Sequence, residues 1–228
     1  MVLNGAKSEA MYFCRSVVSD LEQVFVGDEP LNYLSVVKHL GVKLDRKLSW
    51  EPFIGQICSR VFLGLRRLYQ IGHLLPQATR MTIVKSYIIP HIFYGDVLYF
   101  DANKTYLDRL ERALNACTRF VFNLRPRERL REHRNAILGR SFDGHLKLRI
   151  AIFLFKLIST REPSYLYNQL VFGRSRRTIL LIVPRHRTNY YASSIFVAGA
   201  RIWNSLPAAI KNCTSLETFK RLASGHFK

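Results

Sequence analysis

The sequence predicts an α+β fold: a small N-terminal antiparallel β segment, then a mainly α-helical bundle and a basic helical C-terminal region. Three observations carry this. Before Asp45 the apolar residues fall in short β-rich runs separated by turn signals. After Asp45 they recur every three or four residues, the period of one helix face. The first fifty residues hold six basic and six acidic side chains, so the whole net charge of +19 lies beyond Trp50.

The β segment comes first. Ala10 to Arg15 is short and partly alternating, and Gln23 to Val26 runs into Gly27-Asp28-Glu29-Pro30, a turn cluster. Asn32 to Lys38 and His39 to Leu44 are rich in β-branched residues and complete one small sheet.

The helices follow. Ser49 stands where an N-cap would, and Pro52 is tolerated in a first turn. Ile54, Ile57, Val61, Leu65, Leu68 and Ile71 then form one apolar stripe, with Arg60, Arg66 and Arg67 off it. Gly72 and Leu75-Pro76 end that helix. A second helix runs from Gln77 past Ser86, where Pro90 should kink or interrupt it. A third covers Thr105 to Asn123 on a stripe through Leu107, Leu110, Leu114 and Cys117, and Asp108 can pair with Arg112. Leu146 to Ser159 reads as a largely buried helix, Ile179 to Val183 as a strand, and Ser193 to Phe227 as helices broken at Pro207 and near Thr214.

Excess positive charge on a folded chain points to a polyanion, and nucleic acid is the commonest. Arginine forks match phosphate oxygens bidentately. The candidate contacts are Arg66 and Arg67 on the first helix, and Arg125, Arg127, Arg129, Arg131 and Arg134 in a run tempered only by Glu128 and Glu132. Arg174, Arg176, Arg177, Arg185 and Arg187 flank the strand candidate. The longest uncharged run, Thr188 to Ala200, has 13 residues, whereas a membrane-spanning helix needs roughly 20. No secretory signal is expected at the start. Cys14, Cys58, Cys117 and Cys213 stand too far apart for a zinc site and fit a reducing intracellular compartment, nucleus or cytoplasm.

Five segments carry a family resemblance. They are Leu3-Asn4-Gly5-Ala6-Lys7-Ser8-Glu9-Ala10-Met11-Tyr12-Phe13, Leu40-Gly41-Val42-Lys43-Leu44-Asp45-Arg46-Lys47-Leu48-Ser49-Trp50, Ile89-Pro90-His91-Ile92-Phe93-Tyr94-Gly95, Trp203-Asn204-Ser205-Leu206-Pro207 and Phe219-Lys220. In this order they resemble the C-terminal part of a reverse transcriptase of non-LTR, LINE-type (Jockey-like) retrotransposons. Ser8 stands where that family usually has Thr, and Asp96-Val97-Leu98-Tyr99 departs from the pattern where an aromatic, often Trp, is expected nearby. The resemblance implies three parts: a palm remnant over residues 1–48, with motif D and a primer-grip-like hairpin at His39-Leu40-Gly41; thumb-like helices over 49–124; and a basic post-thumb region over 125–228. It also implies that Lys7 matches the motif D lysine, which sits by the departing pyrophosphate in the intact enzyme.

Nucleotidyl transfer of that kind needs two metal ions held by paired carboxylates. The family carries them upstream of motif D. This sequence has no Asp-Asp pair, and its Asp28-Glu29 sits in a turn cluster. Tyr94-Gly95-Asp96 is out of order for a polymerase motif and lacks a second Asp. No nucleophile elbow and no phosphate-binding loop replaces them. The expectation is therefore a fragment of an RNA-directed DNA polymerase with no catalytic or metal-binding residues of its own. It needs no cofactor by itself, with Mg²⁺ belonging to the intact enzyme. It would bind template-primer or target nucleic acid through backbone contacts, with no membrane partner, and would join the palm and fingers part of the same polyprotein. The alternatives are a translated remnant without function and a host-repurposed interaction module.

Overall fold

Two tight hairpins open the chain in the computed structural model, which describes residues 8–14, 22–125, 127–130, 133, 135–173 and 178–228. Strands β1 (Val24–Val26) and β2 (Glu29–Leu31) pair antiparallel, as do β3 (Val36–His39) and β4 (Val42–Asp45). The single sheet expected from sequence is thus two separate two-stranded sheets. Turns of two residues close each hairpin locally, so neither needs the other's edge. The expected strand from Ala10 reduces, in its described residues, to one parallel bridge between Ala10 and Tyr33.

The second hairpin turns at Leu40 and Gly41, both with positive φ (47° and 84°). Two positive φ values are what a type I′ turn requires, and Leu is a costly residue there. A distant side chain supports it: the Tyr94 hydroxyl donates to the Leu40 carbonyl at 2.5 Å. A Cβ on Gly41 would come within 3.3 Å of that hydroxyl, so the ring needs glycine beneath it. At the hairpin's far end the Asp45 carboxylate accepts from the amides of Lys47, Ser49 and Trp50. Asp45 therefore fixes the entry to α1 (Glu51–Ile71). The residue in the cap position is Trp50 at φ 65°, rather than Ser49, whose hydroxyl accepts from Glu51.

Helix α1 buries Ile54, Ile57, Val61 and Leu65 as its periodicity predicts, whereas Ile71 at its end is exposed. Each of those four burials stabilises by about 1.5–3 kcal/mol. After a 3₁₀ turn (Gly72–Leu74) the chain runs through α2 (Gln77–Ile83), a π turn (Val84–Ile88) and α3 (Ile89–Ile92) without a break. Pro90 does not end this helix. The widened turn immediately upstream accommodates the proline, whose ring would clash with the preceding turn. Val84 and Ile88 in that π turn are fully buried, and Gly64 of α1 admits them: a Cβ there would lie 2.5 Å from Ile88 Cδ1. Short α4 (Asp96–Tyr99) leads into α5 (Lys104–Phe122), capped by Asn103, whose side chain accepts from the Thr105 amide.

Helix α6 (Phe142–Thr160) belongs to two hydrophobic clusters. Phe142 and Leu146 pack with α1, α3 and α5, while Leu148 onward packs with the C-terminal elements. Those elements are α7 (Ser164–Tyr167), α8 (Asn189–Ala192), a π turn (Ile195–Gly199), α9 (Ala200–Ser205), α10 (Ala208–Lys211) and α11 (Leu216–His226). The expected strand at Ile179 to Val183 is only a bridge, Phe172 to Leu181. Asn204 explains why a longer ladder is not needed. Its side-chain amide donates to the Leu181 carbonyl at 2.7 Å and its oxygen accepts from the Leu181 amide at 3.1 Å, as a neighbouring strand would. Trp203 is 1% exposed and its indole N–H donates to the Ile179 carbonyl. The Trp203-Asn204-Ser205-Leu206-Pro207 segment thus serves the second cluster.

Two predictions follow from this packing. Trp203→Ala removes the largest fully buried side chain together with an indole hydrogen bond, so it should lower the unfolding free energy by about 3–5 kcal/mol in denaturant titration. An unchanged midpoint would mean that the second cluster is not formed in solution. The pH prediction concerns two opposed groups. Burial lowers the His145 ring, which packs on Phe93 with centroids 3.9 Å apart, from 6.5 to about 4, and Arg149 and Arg140 add to this. Its contribution is present above pH 6.5 and is lost as pH falls towards 4. Burial raises Asp101 from 3.8 to about 6, so the folded state takes up a proton and gains stability as pH falls from 6 towards 4. Each effect is at most about 3 kcal/mol. The parent should therefore change little between pH 7 and 4. Asp101→Asn should become acid-labile there, and His145→Gln should become more stable with acid. Parallel pH profiles for all three proteins would refute this assignment.

Candidate nucleic-acid interface

Helices α1 and α5 run parallel, and this alignment brings the first arginine groups to one end of the pair. Tyr106, in the first turn of α5, donates from its hydroxyl to Glu51 at the start of α1 at 2.9 Å. Near the other end Tyr69 meets Phe120 edge-on, with ring centroids 5.1 Å apart. Arg66 and Arg67 sit close to the C-terminal end of α1, exposed and off the buried stripe. Arg125, Arg127 and Arg129 follow directly beyond the C-terminal end of α5, and all three are exposed. Helix C-termini carry partial negative charge, so arginines gathered there are favoured by the helices themselves.

The arginine loop is held by its own backbone carbonyls. Arg119 of α5 donates from one guanidinium nitrogen to the Arg125 carbonyl at 2.5 Å and from the other to the Glu128 carbonyl at 3.1 Å. The His133 ring stacks on Phe122 with centroids 4.1 Å apart, which pins the far side of the loop to the same helix. Turns, rather than a helix, link the described residues of the run: the Glu128 amide bonds to the Arg125 carbonyl and the His133 amide to the Leu130 carbonyl. Arg119 points inward to organise this loop, while Arg125, Arg127 and Arg129 project to solvent.

Several other arginines serve the fold. Arg80 donates to the Phe120 carbonyl at the end of α5, Arg140 to the Ser224 carbonyl, and Arg149 to the Asp96 carboxylate at 2.7 Å. Lys211 is 5% exposed and donates to the Asn204 carbonyl at the end of α9; burial lowers its pKa. Sequence reasoning did not separate these cations from the binding candidates, because each acceptor is a distant carbonyl or carboxylate.

Of the second arginine group, Arg185 and Arg187 are exposed. His186 between them lies 3.4 Å from the Arg201 guanidinium. Arg131, Arg134, Arg174, Arg176, Arg177 and Lys7 lie outside the described residues. The expected Asp108–Arg112 partners line one shallow surface hollow together with Glu111. The four cysteines are free thiols, with Cys58 and Cys117 buried and their pKa values raised by that burial. Among the described residues, no helix is long and apolar enough to cross a membrane. Among the same residues, no group of three or more His, Cys, Asp or Glu is arranged to hold a metal ion.

Two of the five resemblance motifs meet in space. The Leu40–Gly41 turn is bonded by Tyr94 of the Ile-Pro-x-x-x-Tyr-Gly segment, and Gly95, at φ 69°, lies against Phe53 of α1. Asp96, next in sequence, is 1% exposed and bound by Arg149, a structural position and not an open metal site. Comparison with known proteins returned no matching family model, no matching curated protein and no matching solved structure.

Proposed function

We propose that this chain is the C-terminal part of the RNA-directed DNA polymerase of a non-LTR retrotransposon, and that it holds template-primer or target nucleic acid by its phosphate backbone. The observation that carries this reading is the set of five motifs in family order, two of which, at Leu40–Gly41 and Tyr94–Gly95, pack on each other. The binding role is supported by the charge, which lies beyond Trp50, and by five exposed arginines at one end of the α1–α5 pair. Such contacts fix position without reading sequence. Polymerase chemistry is left to residues outside this chain, because the carboxylate pairs that the family uses for Mg²⁺ have no counterpart in its sequence.

Duplex binding measured over a salt series tests the first part. With about five phosphates neutralised, the log–log slope on B-DNA should be near −4.5. Replacing Arg127, Arg129 and Arg131 together by Ala should flatten it by up to about 3 and weaken all sequences alike. Arg66→Ala with Arg67→Ala should flatten it further by up to about 2, since both groups lie at the same end. The melting temperature should hardly move, because exposed arginines contribute little to folding. Parent-like affinity and slope in the triple variant would shift the interface to Arg185 and Arg187. Primer extension tests the second part: the purified chain should add no nucleotides with Mg²⁺ or Mn²⁺. Metal-dependent incorporation that copurifies with the chain would overturn that statement.

A further inference from the structure

A cleft of about 730 Å³ opens between the two hydrophobic clusters, away from the arginine end. Its first wall is Trp50 at the entry to α1 and Tyr106 in the first turn of α5. The second is Phe153 of α6, with Tyr165 of α7 and Tyr190 of α8 at the rim, 67% and 52% exposed. Asp101, in the short link between α4 and α5, also lines it, and Lys47 stands at its edge. The volume falls in the range of small-ligand sites, and clefts between cores are where such sites concentrate.

We propose that this cleft takes an unpaired guanine base of a nucleic-acid strand, stacked among the aromatic side chains and held along its donor edge by the Asp101 carboxylate. The aromatic walls call for a planar ligand, since every base has a π-face to stack. The carboxylate selects among the bases. Ionised, it has two acceptor oxygens and no donor. Guanine offers two adjacent donors, N1–H and the 2-amino group, which meet both oxygens. Adenine and cytosine place a ring acceptor beside their amino group, and uracil flanks its one N–H with two carbonyls, so each would set a lone pair against the carboxylate. A cationic occupant would also suit an aromatic cleft with one acid, but the net charge of +19 and Lys47 at the edge oppose it. A strand supplies the base together with an anion that this charge favours. The inference rests on the nucleic-acid reading only in that the base belongs to a strand.

Burial holds the Asp101 carboxyl up at about 6, so recognition by its ionised form carries a pH signature. Trp50 in the wall gives the readout, because a base stacked in the cleft changes its fluorescence. The full chain is titrated with the four ribonucleoside monophosphates, then with oligothymidylate carrying or lacking a single guanine. The phosphate is common to all four mononucleotides, so differences report the base. Guanosine monophosphate should bind about tenfold more tightly than the other three, and the guanine-bearing oligomer more tightly than plain oligothymidylate, which separates a strand from a free nucleotide. Asp101→Asn should abolish the preference. Tyr165→Ala, a rim change that leaves the core intact, should weaken every base several-fold. Between pH 7.5 and 5 the preference for guanosine monophosphate over the other three should fall about tenfold in the parent, while Asp101→Asn, followed over the pH range where it stays folded, shows no preference at either end; the phosphate titrates at about 6 in all four nucleotides and cancels in the ratio. Equal binding of all four nucleotides, or a guanine preference that survives Asp101→Asn, overturns the proposal. Loss of the guanine preference with the arginine-dependent salt slope intact would fault this inference alone. A guanine preference without duplex binding would fault the proposed function instead.

Discussion

The Asp96 carboxylate and the Arg149 guanidinium, 2.7 Å apart, hold the two halves of the molecule in register. Asp96 is almost wholly buried at the start of α4, whereas Arg149 is half exposed on α6 just past the point where that helix passes from one hydrophobic cluster to the other. Burial pushes the Asp96 pKa up, and the Arg149 bond and the amides of Val97 and Asp96 pull against it. The pair is therefore asymmetric. Losing the aspartate releases an arginine that already reaches water, but losing the arginine strands a carboxylate in the core, the costlier case. The same stretch of chain fastens its neighbours. Tyr94 bonds the β3–β4 turn, Gly95 makes room against Phe53, and Tyr99 donates to the Ile92 carbonyl. The six residues from Tyr94 to Tyr99 thus join the hairpin, α1 and α6.

Helices were legible in the sequence where their stripe met the core. Ile54, Ile57, Val61 and Leu65 are buried in α1, and Leu110, Leu114 and Cys117 in α5, because a 3.6-residue period needs no knowledge of the partner. The resemblance implied a hairpin at His39-Leu40-Gly41, and β3 and β4 do turn there, but the strained backbone of that turn was not legible. Nothing local marks Leu40 for a positive φ, and the compensating bond comes from Tyr94, 54 positions away. The helix start differs by one residue for a similar reason: the Ser49 hydroxyl does accept from the Glu51 amide, but Asp45, four residues upstream of Ser49, binds the amides of Ser49 and Trp50 and sets Trp50 in the cap position. At Ile179 to Val183 an apolar run predicts a strand, but an asparagine side chain supplies the partner that would have lengthened it.

The arginines divide by acceptor, and only the structure supplies the acceptors. Composition placed the charge beyond Trp50 and flagged the Arg125 run, and the described residues of both groups are exposed. It could not show that Arg80, Arg119, Arg140 and Arg149 are directed at carbonyls and a carboxylate within the fold. Nor could it show that α1 and α5 run parallel, since two helices separated by a helical excursion can align either way. The parallel choice follows from contacts at both ends, Tyr106 with Glu51 and Tyr69 with Phe120, and it sets Arg66 and Arg67 at the same end of the pair as the loop that Arg119 clamps.

That clamp changes what the arginine loop can do. A loop of like charges repels itself, and left unsupported it would pay conformational entropy on meeting a phosphate backbone. Arg119 supplies two hydrogen bonds to carbonyls on either side of the turn, and the Phe122–His133 stack anchors the opposite flank, so part of that cost is met in folding. A pre-ordered array has a fixed spacing and suits a regular polyanion, whose phosphates are also regularly spaced. The aromatic cleft around Asp101 follows a different logic. It lies between two cores and would meet the proposed base through stacking and one half-buried acid, interactions that fall off within contact distance, whereas arginine fields act over about a Debye length, roughly 8–10 Å at physiological salt. On the two proposals, the arginine surface would gather any strand and the cleft would discriminate among its bases, a division that rests on a half-buried acid and exposed arginines.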